Sequence, residues 1–204
     1  MMRVIDGLIA FLIGYALGCI QTAYLLGIIA GKMDIRDKGS HNAGASNAFM
    51  ILGWKSGAIT ALVDILKGTA AVLLVQLLLP SMPAYAYVAG LAAITGHIFP
   101  FYLRFRGGKG VATLVGMMLG YDYRLGLLFM LIMLVVPFSS NYMAVGSLTV
   151  FTILPVVTYL LDLPLVCLVY ALILTVVVYL KHMENLNRIR SGEEVKMSEA
   201  LKRS

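Results

Sequence analysis

Charge is scarce in this chain. Only 13% of its 204 residues are Asp, Glu, Lys or Arg, against 60% that are apolar. No water-soluble domain of this size can hide so much apolar side chain, so the scarcity excludes a soluble enzyme and points to an integral membrane protein. Cysteine is rarer still: Cys19 and Cys167 both lie in apolar runs, with no CxxC or Cys/His cluster near them. They read as two buried thiols rather than a disulfide framework or a metal site. Also missing are a Ser–His–Asp spacing, an HxxxxD or HExxH motif, paired catalytic carboxylates, an internal repeat and a low-complexity linker. His41 has no acid four or five residues on, unlike the motif of soluble-type acyltransferases. The formal charge of +6 sits in short loops between apolar runs. That pattern fits positive loops on the cytoplasmic side and sites for anionic ligands, and it argues against nucleic acid.

What is present is a series of long apolar runs. About 20 apolar residues cross a ~30 Å hydrocarbon core. The first run, residues 4–30, is too long for a signal peptide and lacks a basic start followed by a clear cleavage site, so a retained helix is expected. Spans are expected at residues 5–30, 56–79, 84–97, 142–161 and 163–180, with polar loops at 31–55 and 101–109. Between residues 111 and 137 the pattern is ambiguous, because Tyr121-Asp122-Tyr123-Arg124 interrupts it. One long helix would place Asp122 and Arg124 in mid-membrane, at roughly 2.5–3.5 kcal/mol each. It would also put the basic tail opposite the basic loops. Two short helices with the turn at the outer surface avoid both problems. The expectation is therefore an all-α membrane protein, a bundle of seven transmembrane helices in a single domain over residues 1–204, N-terminus outside and C-terminus cytoplasmic. The fourth helix is then barely half a membrane thick.

Three polar stretches stand out against this background. The first is KGSHNAGASN, residues 38–47. Gly39 and Gly44, with the small residues Ser40, Ala43, Ala45 and Ser46, let a backbone bend tightly and approach a ligand. Ser40, Asn42, Ser46 and Asn47 supply hydroxyl and amide donors, and successive N–H groups of such a loop can face a phosphate. A glycine-rich connector is the plainer reading, since such signatures are weak alone. The second stretch, RFRGGKG at 104–110, opens the short fourth helix. Gly107, Gly108 and Lys109 before a helix N-terminus make an anion site without Walker spacing. The third, HMENLNR at 182–188, sets His182 and Asn185 at i, i+3 and Glu184 and Arg188 at i, i+4, the latter a ready helix ion pair. His97, at a membrane exit, reads as structural or interfacial. Asp64 and Lys67, inside the second span, read as a mutually neutralising pair facing the bundle.

Taken together, these stretches resemble the bacterial membrane-integral acyl-phosphate:glycerol-3-phosphate acyltransferases, the PlsY family. The resemblance runs through GYALGCIQTAYLLG (14–27), DIRDKGSHNAGASN (34–47), DILKG (64–68), GHIFPFYLRFRGGKGVAT (96–113) and HMENLNRIRSGEEVK (182–196). It implies transfer of a fatty acyl group from acyl phosphate to the 1-hydroxyl of glycerol 3-phosphate, giving lysophosphatidic acid and phosphate, the first step of phospholipid biosynthesis. It implies a multi-pass protein of the cell membrane with its active site at the cytoplasmic face. By the resemblance, Ser40, Lys109, His182 and Asn185 serve the reaction itself, while Gly39, Asn42, Gly44, Ser46, Asn47, Gly107, Gly108 and Arg188 bind substrate. No metal or cofactor is implied. The expected partners are acyl phosphate, glycerol 3-phosphate and membrane lipids, with a functional monomer working beside the enzyme that makes acyl phosphate. The general base is a substrate phosphate or His182.

The chain departs from the family pattern where it has Met50 in place of an arginine, His41 in place of a glycine, Ser46 in place of a threonine and Arg106 in place of a lysine. Methionine cannot stand in for a bidentate guanidinium, so Arg36, Lys38 or Lys55 would have to compensate. The alternative class is a non-catalytic transporter or a paralogue that binds lipid phosphate, suggested by Asp64–Lys67 and by Met50.

Overall fold

A backbone in lipid must satisfy its own hydrogen bonds, and a helix does so within one segment. The computed structural model, which describes residues 3–200, is accordingly helical, with no strand among the described residues. It falls into two compact units, divided between Gly126 and Leu127.

The first unit begins with α1 (Val4–Gly18) and α2 (Thr22–Gly31), which share the first apolar run but are separated at residues 19–21. Then come α3 (Ala45–Leu52), α4 (Trp54–Leu78), α5 (Pro83–Ile98), α6 (Val111–Tyr121) and the first turn of α7 (Tyr123–Ser140). α5 is the buried centre of this unit, and its many alanines and glycines explain why. Small residues let helix backbones approach where no hydrophobic drive separates lipid from protein. A Cβ on Gly14 or Gly18 of α1 would lie 2.0 or 2.1 Å from the carbonyl oxygens of Ala89 and Ala93 on α5. The second unit holds the rest of α7, then α8 (Met143–Leu160), α9 (Leu165–Lys181), α10 (Met183–Ser191) and α11 (Met197–Ala200). Thr175 Oγ1 donates to Phe151 O at 2.8 Å and so ties α9 to α8. α11 docks on the turn between α7 and α8: Ser198 N donates to Asn141 Oδ1 at 2.9 Å, and Met197 N to Asn141 O at 2.9 Å.

Among the described residues, five segments are long and apolar enough to span a membrane: Val4–Ala30, Trp54–Leu78, Pro83–Leu103, Tyr123–Ser140 and Met143–Leu160. α9 and α10, bent by 44° at their junction, are long and apolar enough only together, as one broken span or a re-entrant loop. Exposed Leu8, Leu77, Leu134, Tyr159 and Leu172 suit a lipid-facing surface.

Two expectations are corrected. The first loop is not irregular throughout, because α3 forms inside it. And of the two short helices expected between residues 111 and 137, only α6, with 11 residues, is short, while α7 has 18. They are separated by Asp122 alone, whose Oδ1 accepts from Arg124 N at 2.8 Å at the start of α7. The chain does reverse there. A Cβ on Gly126 would lie 2.5 Å from the Cα of Leu119, whereas residues seven apart on one helix are about 10 Å apart.

Candidate active site

The first loop is built around one buried amide. Asn47, in the first turn of α3, is 1% exposed. Its Nδ2 donates to Ile35 O at 2.9 Å and to Lys38 O and Asn42 O at 3.0 Å, and its Oδ1 accepts from Ser40 N at 2.9 Å. The side chain sequence reading assigned to substrate is thus engaged in shaping the loop that would hold it. Gly39 is required beside it: φ is +63°, and a Cβ there would lie 2.2 Å from Asn47 Oδ1. Gly44 precedes α3 with open space where a Cβ would stand. No side chain caps α3, so its first-turn N–H groups, those of Ala45 and Ser46 among them, lack partners within the helix. Ser46 is exposed, and Ser40 and Asn42 are half-buried.

Arg36 fastens this loop to the second. Its guanidinium grips Asp34, with Nε 3.0 and 3.1 Å from the two carboxylate oxygens and Nη2 2.6 Å from Oδ2, while Nη1 donates to Leu103 O and Arg106 O at 3.0 Å. The Arg36 hydrogen bond holds the Asp34 carboxyl below the usual carboxylate range, and the same bond raises Arg36. The second loop folds back on the end of α5: Gly107 N donates to Ile98 O and Gly108 N to His97 O, both at 3.1 Å. Gly110, at φ +81°, turns the chain into α6, again with no side-chain cap. Lys109 is half-buried beside it. A Cβ on Gly108 would be 3.1 Å from Ala43 O and 2.2 Å from the His97 ring, so the two glycine loops touch. Two helix N-termini without side-chain caps therefore belong to one joined pair of loops.

Beneath them lies a buried ionic cluster. Asp64 and Lys67 are paired at 2.7 Å, as the sequence suggests, but His97 joins them, with Nδ1 2.8 Å from Lys67 Nζ and 3.5 Å from Asp64 Oδ1. Nothing in their separate spacings shows that α4 and α5 bring them together.

The second unit carries the third stretch. His182 closes α9, 1% exposed, with Nδ1 2.8 Å from Val178 O. A carbonyl only accepts, so Nδ1 carries a proton. Asn185 Nδ2 donates to Glu194 Oε1, and Arg188 Nε to Glu194 Oε2 at 2.6 Å. The anticipated Glu184–Arg188 pair is present but long, at 3.9 Å. Glu194, absent from the sequence reading, is the stronger partner. The left-handed Gly192 ends α10 and returns the chain, with Glu193 N and Glu194 N donating to Arg188 O. Among the described residues no group of three or more His, Cys, Asp or Glu could hold a metal ion.

Residues 8–192 match the family model for glycerol-3-phosphate acyltransferase. The chain is 42% identical to the glycerol-3-phosphate acyltransferase of Nitrobacter winogradskyi, over 93% of this chain and 95% of that one. It is 38% identical to glycerol-3-phosphate acyltransferase 1 of Oceanobacillus iheyensis, over 93% and 94%. Among solved structures it is similar to PlsY (YgiH), an integral membrane glycerol 3-phosphate acyltransferase. The glycerol 3-phosphate form superposes with a TM-score of 0.83 at 28% identity, over 93% of this chain and 94% of that one. The lysophosphatidic acid form gives 0.80 at 27% identity, over 96% and 98%.

Proposed function

The chain belongs to the glycerol-3-phosphate acyltransferase family, and from that premise we propose how its residues carry the reaction. It acylates glycerol 3-phosphate to lysophosphatidic acid, a step of phospholipid synthesis. The donor is acyl phosphate, a mixed anhydride that needs no covalent enzyme intermediate. The glycerol 1-hydroxyl oxygen bonds to the acyl carbon, the bond from that carbon to the bridging oxygen breaks, and inorganic phosphate leaves. Two anions must be held together while a hydroxyl is aligned with a carbonyl, so the work is positioning and electrostatics.

The single observation that carries this reading is the joined pair of glycine loops, fastened by Arg36 and opening two helix N-termini. Ser40, Asn42, Gly44 and Ser46 hold phosphate, Asn47 and Gly39 keep the loop in shape, and Gly107, Gly108 and Lys109 supply the second set of donors. His182 and Asn185 orient glycerol 3-phosphate, and Arg188 is held ready by Glu194. The hydroxyl proton goes to a substrate phosphate or to His182.

Both units form one acyltransferase domain that works as a monomer. It crosses the membrane seven times, α6 included, N-terminus outside. The support is the lysine and arginine of the loops at 31–55 and 101–109 and of the tail, which the positive-inside bias assigns to the cytoplasm. The active site then lies at the cytoplasmic face. No observation favours a transporter, because Lys67 is held within the protein by Ile20 O, by His97 and by its ion pair with Asp64.

The test is purified protein given glycerol 3-phosphate with acyl phosphate, acyl-CoA or acyl carrier protein in turn. Lysophosphatidate should form with acyl phosphate alone. Direct use of either thioester would overturn the donor assignment.

A further inference from the structure

Lys67 Nζ donates to Ile20 O at 2.6 Å and lies 2.8 Å from His97 Nδ1, and it is ion-paired with Asp64 Oδ1 at 2.7 Å. The side chains of all three partners in the cluster, Asp64, Lys67 and His97, are at most 4% exposed. An ammonium can only donate, so Nδ1 accepts the hydrogen bond from Lys67 and the ring carries its proton on Nε2. That nitrogen lies 2.2 Å from where a Cβ of Gly108 would stand. Gly108 N in turn donates to His97 O, which also accepts from Gln21 Nε2 at 3.0 Å. One lysine thereby ties the break in the first span, α4, the end of α5 and the second glycine loop.

Such a cluster is a poor way to gain stability. Taking ions out of water offsets most of their attraction, and apolar side chains of similar volume often do as well. What it fixes is the angle of one imidazole. We propose that Lys67 is a positioning residue for acyl transfer. By donating to Nδ1 it seats the His97 ring, Nε2–H outward, under Gly108, and the ring sets the place of the loop that holds phosphate. The proposal rests on the reading of that loop as a phosphate cradle.

The double variant Asp64→Asn/Lys67→Met removes both charges together and leaves no uncompensated ion, while Lys67→Arg keeps the charge and changes the geometry. Nitrogen-15 spectra of the purified protein, with the His97 signal assigned by its loss in His97→Gln, read the tautomer. Steady-state kinetics read the loop. The proposal expects an Nε2–H ring in the unmodified protein. It expects a folded double variant whose KM for one or both phosphate substrates rises tenfold or more, with a smaller fall in kcat. Adding Gly108→Ala to that variant should cost little further, because a displaced loop cannot be displaced twice. An Nδ1–H ring overturns the proposal even if the double variant fails to fold. So does a folded double variant with unchanged KM values, or a Gly108→Ala effect that multiplies in full. Gly108→Ala alone, with both KM values unchanged, would sink the phosphate-cradle reading instead, and the tautomer would not move.

Discussion

Asn47 carries four hydrogen bonds to the loop around it, so Asn47→Ala should loosen residues 35–47 by about 2–4 kcal/mol. Hydrogen exchange of that loop would measure it, and helical content should stay unchanged. Met50 presents the opposite case, an exposed side chain where the family pattern has an arginine. Of the cations that could compensate, Arg36 is committed to Asp34 and to two carbonyls, and Lys55 lies over the Trp54 ring. Lys38 is exposed on the glycine-rich loop itself. A charge-assisted hydrogen bond contributes about 1.5–3 kcal/mol, so Met50→Arg should lower the KM for glycerol 3-phosphate roughly ten- to a hundredfold and leave the donor KM alone. If it does not, Lys38 already fills that place, and Lys38→Ala will show it. Lys109→Ala should abolish turnover by removing the charge before α6. The Arg36–Asp34 contact has a defined pH response. Asp34 is held below its usual range by Arg36, so the contact is complete above the ordinary value of about 3.9. It is lost as pH falls through the lowered value. Loop order should therefore be flat from pH 5 to 8, on the order of the ordinary working range, whereas Asp34→Asn should loosen both loops at every pH.

At the scale of elements, contacts between small residues decide the packing. A leucine at Gly14 would run into backbone atoms of Ala89 that cannot move aside without separating α1 from α5. Overpacking costs about 1–3 kcal/mol or more, and Gly14→Leu should lower the thermal midpoint in detergent without altering the loops. Span positions were legible in the sequence to within a few residues, because apolar runs of that length admit few other structures. α3 was not, since AFMIL beside Gly44 and Asn47 reads as part of a polar loop until Asn47 is seen to be buried. Nor was the role of Glu194, which depends on the left-handed turn at Gly192 bringing it back to Asn185 and Arg188. His97 illustrates the limit most clearly. A lone histidine before Phe99-Pro100 gives no sign of Lys67, 30 residues earlier on another helix. α6, about 17 Å long at 1.5 Å per residue, makes the topology worth testing directly. Single cysteines at Tyr123 and Asp162 should label from outside, and those at Ser56 and Ser191 should not. The native Cys19 and Cys167 are buried and should stay silent. Outside labelling at Ser191 would break the seven-crossing scheme.

For the molecule as a whole, the account is that a membrane bundle supplies geometry and the donor supplies reactivity. The measurement that bears on it most directly uses acyl phosphate labelled with oxygen-18 in the bridge between carbonyl carbon and phosphorus, given to purified protein with glycerol 3-phosphate. The account predicts lysophosphatidate and inorganic phosphate in equal amounts, with the label in the phosphate and none in the new ester. Label in a released fatty acid, or phosphate formed without lysophosphatidate, would contradict it.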